Sequence, residues 1–162
     1  MTDAIAAVSP IEMAFQNTGG IRIKRLEKGD ITIRDVYTLD PFGNEIILLK
    51  MTPAEIRSLL LNAYNRNNSV DLIPSGIHYT VITDKANHRS DIRLSLPDGS
   101  PLNENQTYNV GISSYVASSY TFDHEDPGTS LFIITAQSVI NFIEQKQAIN
   151  YSGTRRTFVE QK

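Results

Sequence analysis

Glu12-Met13-Ala14-Phe15-Gln16 runs directly into Asn17-Thr18-Gly19-Gly20-Ile21-Arg22. The first five residues read as a buried strand, and Asn-Thr-Gly-Gly is a strong breaker after it. Two glycines let the main chain turn tightly and let a ligand approach the backbone amides. Asn17 carries both donor and acceptor atoms. Arg22 can grip a carboxylate or phosphate with two parallel bonds. The stretch therefore has the chemistry of an anion or ribose site at a strand end. A plain glycine turn followed by a surface arginine fits the same residues.

Working outward, Thr2 to Val8 reads as a short helix with Thr2 as its cap. After Gly29-Asp30, the segment Ile31 to Leu39 admits two readings. Its β-branched residues suggest a strand, whereas Thr32 with Asp35 behind it suggests a capped helix. Asp40-Pro41-Phe42-Gly43-Asn44 is a loop. Glu45 to Met51 is an apolar run bounded by turns, the pattern of an interior strand. Thr52, Pro53 and Glu55 then form a complete helix start, and Ile56, Leu59, Leu60, Ala63 and Tyr64 line one face. Further strands are expected at Ile77–Thr83, Asp91–Leu96, Thr107–Ile112 and Leu131–Ile134. Ser113 to Asp123 reads as a loop or broken helix. Thr135 is expected to cap a last helix reaching about Gln147. This interleaving predicts one α+β domain over residues 1–162, with a mixed β-sheet flanked by helices.

The 162 residues suit one domain of ordinary size, and 40% hydrophobic with 20% charged residues suits a globular chain. A net charge of -3 argues against a general nucleic-acid binder, which normally carries a basic field. There is no cysteine, so disulfides and thiolate metal sites are excluded. No apolar run approaches the roughly 20 residues of a membrane span.

Phe42 and Tyr115 raise one question twice. An aromatic on a loop is either tucked into the core or held out as a platform. Stacking a nucleobase on such a ring is worth about 1–3 kcal/mol. Two platforms could sandwich a flat ring while Asn17 and Arg22 contact an attached sugar and phosphate.

The order Asn17-x-Gly-Gly-Ile-Arg22, Gly29-Asp30-Ile31-Thr32, Asp35-Val36, Pro41-Phe42, Ser75-Gly76-Ile77-x-Tyr79, Asp98-Gly99 and Tyr108-x-Val110 leading into Tyr115 resembles the 5'-nucleotidase carboxy-terminal domain (UDP-sugar hydrolase type). The resemblance runs from about residue 2 to 160. It implies a substrate-recognition domain whose partner is a metallophosphoesterase domain, in the same parent chain or separate. That partner would hold two divalent metals and perform the hydrolysis. By the resemblance, Asn17, Gly19, Gly20 and Arg22 contact ribose or its 5' substituent, and Phe42 and Tyr115 clamp the base of a nucleotide or nucleoside. It also implies a periplasmic or cell-envelope location. No catalytic residue, cofactor or metal ligand is expected within this chain. After the second aromatic the family carries Gly-Gly-Asp-Gly, whose Asp holds the ribose hydroxyls. Here Ser118-Ser119-Tyr120-Thr121-Phe122-Asp123 stands instead. A stand-alone binding or structural domain that has lost ribose recognition is the alternative reading.

His78, His88 and His124 are scattered, without the spacing of a helical metal site. His124-Glu125-Asp126 is read as a solvated loop, with a hard cation as the other option. Arg155-Arg156 is read as a solvated pair.

Overall fold

The computed structural model describes residues 1–23, 25–84 and 89–162; His88 lies outside them. Two capping boxes set the early helices. In α2 (Ile33–Leu39), the Thr32 side chain accepts from the Asp35 amide while the Asp35 carboxylate accepts from the Thr32 amide. Thr52 and Glu55 repeat the arrangement at α3 (Pro53–Asn65), where Pro53 needs no amide partner in the first turn. The Ile31–Leu39 ambiguity thus resolves to a helix, because the reciprocal cap satisfies two backbone donors that a strand would leave to its neighbours.

The strands β1 (Met13–Asn17), β2 (Glu45–Met51), β3 (Leu72–Ser75), β6 (Tyr108–Ser113) and β7 (Thr129–Ile134) make one sheet in the order β3-β1-β6-β2-β7. β1 runs parallel to β6, with Phe15 opposite Ile112, and the other pairings are antiparallel. A second sheet holds β4 (His78–Thr83), β5 (Arg89–Ser95) and β8 (Thr157–Gln161) in the order β5-β4-β8. The α+β class holds, but the single mixed sheet expected is two. β3 contains Pro74, which an edge strand tolerates because its free side needs no amide donor.

One face of the larger sheet packs against α3 and the second sheet. Met13, Phe15, Leu49, Met51, Val110 and Ile112 meet Ile56, Leu59 and Leu60, along with Tyr79, Val81, Ile92 and Leu94. The opposite face buries Ala14 and Ile46 against Ile5 of α1 (Thr2–Ala6) and Ile11. Outside that, α1, α2 and α5 (Thr135–Lys146) share Ala4, Val36, Ala136 and Val139. Gly76 joins the sheets at φ 75°, where a Cβ would lie 2.2 Å from the Glu12 carbonyl oxygen. Only glycine allows that approach.

Both expected threonine caps fail, for a tertiary reason. Thr2 is inside its helix and buried, and Met1 stands at the cap position. Thr135 is the first helical residue, and its hydroxyl donates to the buried Asp40 instead of capping. Arg156 is not a solvated pair member either. It bonds both carboxylate oxygens of Asp3 at 2.5 and 2.8 Å and donates to the Pro74 carbonyl. Arg155 lies over the Phe158 ring. This tie joins the last strand to the first helix.

Candidate functional site

The sheet carries the site. β1 and β6 are parallel, so Asn17 and Ser113 finish at the same end. β2 is antiparallel to β6, with Ile46 opposite Ser113, so the Pro41–Asn44 loop enters there too. Three stretches far apart in sequence thus converge: the glycine loop, the Phe42 loop and α4 (Ser114–Ser119). Ser113 caps α4 by accepting from the Val116 amide, so the region read as loop or broken helix begins as a short helix.

Phe42 and Tyr115 are 46% and 42% exposed, so neither is a core residue. Ser114 bridges their elements: its Oγ accepts from the Glu45 amide at 3.2 Å and donates to Asn44 Oδ1 at 3.3 Å. Arg22 is brought alongside. Its amide donates to the Leu39 carbonyl, and its guanidinium carbon lies 4.9 Å from the centroid of the Phe42 ring. This is a cation–π contact on a half-exposed ring.

Gly19 and Gly20 form a 3-10 turn, Thr18–Gly20, directly after β1. At Gly20 a Cβ would meet two side-chain ends, Gln16 Nε2 at 2.3 Å and Asn17 Oδ1 at 2.8 Å, which would have to shift to admit it. At Gly19 the nearest contact would be Asn17 Nδ2 at an ordinary 3.5 Å. Asn17 itself is buried, and its Oδ1 accepts from Gln16 Nε2 at 2.9 Å. Its first duty is therefore to shape the loop. Gln16 Oε1 is the buried side-chain acceptor left without a partner among the described residues.

Sequence reasoning missed the support of this site. Asn44 and Ser114 join the two aromatic elements, and Asp71 backs the glycine loop by accepting from Thr18 Oγ1 at 2.7 Å. The Tyr120 hydroxyl donates to the other Asp71 oxygen. Burial, then the Asp71 bond and charge, push the Tyr120 hydroxyl above its ordinary range. Burial likewise raises Asp40, against the bonds it accepts from Thr135 and from the Phe42 amide. Little local marks these residues, because apart from the Phe42 amide on Asp40 their partners lie tens of positions away.

The His124 to Asp126 segment is tied into the fold by hydrogen bonds. His124 Nδ1 sits 2.8 Å from the Asp126 carbonyl, and the Asp126 carboxylate accepts the Lys50 and Gly128 amides. Among the described residues, no three or more His, Asp or Glu side chains gather to hold a metal ion.

This end of the sheet carries two half-exposed rings, a guanidinium against one of them and a glycine turn. Residues 1–122 match the model of the family described as 5'-nucleotidase, C-terminal domain, and the chain belongs to that family. A probable 5'-nucleotidase of Treponema pallidum is 30% identical over 117 residues, which are 66% of this chain and 20% of that protein. The cell wall protein Lmo0130 of Listeria monocytogenes is 32% identical over 158 residues, covering 88% of this chain and 19% of its own length. The solved structure of a 5'-nucleotidase precursor from Thermus thermophilus matches with a TM-score of 0.75 at 25% identity, over 98% of this chain and 34% of that one. The chain spans about a fifth of the length of these curated relatives.

Proposed function

We propose that this chain recognises the nucleoside part of a nucleotide for a 5'-nucleotidase-type phosphohydrolase. The base stacks between Phe42 and Tyr115, and Arg22 takes the phosphate from its seat over Phe42. The glycine turn at Gly19 and Gly20 brings backbone close to the sugar and its 5' substituent, with Asn17 shaping that turn. The observation that carries this reading is the convergence of two half-exposed rings on elements bridged by Asn44 and Ser114, with a guanidinium against one of them.

Hydrolysis belongs to a separate metallophosphoesterase domain, which would supply the two divalent metals. The working location is the periplasm or cell envelope, in keeping with the cell wall relative. No helix of the described residues is long and apolar enough to cross a membrane.

Calorimetric titration of the chain with adenosine and with AMP, without metal, tests the proposal. Binding of both, with AMP tighter, is the expected result. Absence of binding at millimolar concentration would sink it. The alternative, a domain that holds another ligand or a partner protein, draws on the buried Tyr120 in the altered loop.

A further inference from the structure

The glycine loop and the Tyr115 ring are joined from behind. Asp71, just ahead of β3, takes the Thr18 hydroxyl on one carboxylate oxygen and the Tyr120 hydroxyl on the other. Its carbonyl also accepts the Thr18 amide at 2.8 Å. The Tyr120 ring meets the Tyr115 ring edge-on, with centroids 6.3 Å apart. Arg66 covers the Tyr120 ring at 4.3 Å and donates to the Ser119 carbonyl. Tyr120 therefore fills the ground between the clamp ring and the glycine loop.

This has a chemical consequence. A sugar diol is a pair of O–H donors, and a free carboxylate is its strongest reader. Among the described residues, three carboxylates at this end accept hydrogen bonds from within the chain. Asp71 serves Thr18 and Tyr120, Asp40 serves Thr135 and the Phe42 amide, and Glu45 serves Ser130. Exposed at this end are the Phe42 and Tyr115 rings and Arg22, with Thr18, Gly19, Ser118 and Ser119 as the small neutral residues beside them.

We infer that this site selects its ligand by a flat ring and an anionic group and leaves the sugar hydroxyls unread, with Tyr120 and Asp71 as positioning residues that set Tyr115 against the glycine loop. The inference rests on the nucleotide-recognition reading above. The ligand class is then aromatic phosphate monoesters, of which ribonucleotides are one member.

The test is titration of the whole chain with AMP, 2',3'-dideoxy-AMP and phenyl phosphate. A carboxylate reading the diol would separate AMP from its dideoxy analogue by about tenfold or more. The expected affinities of these two differ by less than about fivefold, with phenyl phosphate weaker but measurable. A preference for AMP of about fivefold or more overturns the inference while leaving the recognition reading intact. If none of the three binds, both fall. A second measurement uses Tyr120→Phe at a temperature where the chain stays folded. All three aromatic ligands should weaken by one common factor of about three to ten, and inorganic phosphate should not weaken. Unchanged affinities, or a loss confined to AMP, would refute the positioning role.

Discussion

The guanidinium of Arg22 lies over the ring of Phe42, 4.9 Å from its centroid, on loops that are twenty residues apart. The guanidinium and the ring are thus one unit, and a ligand that contacts either would feel the other.

Arg22→Ala should weaken AMP more than adenosine, whereas Phe42→Ala should weaken both by about 1–3 kcal/mol. Because the two touch, the double variant should deviate from additivity by about 0.5–1 kcal/mol for AMP. Calorimetry on the four proteins checks this. Equal effects of Arg22→Ala on AMP and adenosine would remove Arg22 from the phosphate.

The two glycines of the turn should respond differently. Gly20→Ala forces a Cβ to within 2.3 Å of Gln16 Nε2 and 2.8 Å of Asn17 Oδ1. It should destabilise the chain by about 1–3 kcal/mol, since the ends of two buried side chains must shift to admit it. Gly19→Ala meets only an ordinary contact and should change stability by less than about 1 kcal/mol. Urea melts of the two variants give the comparison, and equal losses would contradict it.

Phe132 has φ 55° and is 84% exposed, so it gains little from burial and holds a backbone conformation disfavoured for a bulky side chain. It sits in a bulge of β7, between Ser130, opposite Ile47, and Ile134, opposite Glu45. Phe132→Gly should stabilise the fold by about 1 kcal/mol by relieving that strain. A lowered melting temperature would show that the ring is supported by contacts that outweigh the strain.

Asp3 and Arg156 make stability depend on acid. Burial alone would raise the Asp3 carboxyl, but bonds from Arg156, Ser75 and Tyr151 hold it down to about 2, against an ordinary 3.8. A carboxyl depressed in the folded state contributes fully above its unfolded value and loses that contribution as pH falls through the folded one. Stability should therefore drop between about pH 4 and pH 2. Asp3→Asn should cost about 1–3 kcal/mol at neutral pH, because Arg156 loses its charged partner, and should flatten that part of the pH profile. A variant as steep as the parent would assign the drop to other groups.

Much of the fold was legible because its signals are short. Thr32 with Asp35 and Thr52 with Glu55 close their caps over three residues, and β2 is an apolar run between turns. Thr2 and Thr135 lack an acidic residue three positions on, with Ile5 and Ser138 there instead, and burial rather than capping decides their role. β3 was missed because it is short and contains Pro74, and β8 because its exposed face carries no apolar pattern.

The sequence by itself determined the family, the glycine turn after β1, and the residue types able to stack and to grip an anion. Those are properties of a few adjacent side chains. Only the tertiary structure decided that Phe42 and Tyr115 stay half exposed, that Asn17 is buried as a shaper of the turn, and that Asp71 is engaged by Thr18 and Tyr120. The contacts of Ser114 and Asp71 join residues 49 to 70 positions apart. They follow from parallel pairing of β1 with β6 and antiparallel pairing of β2, and no interval of local sequence encodes which strand lies beside which.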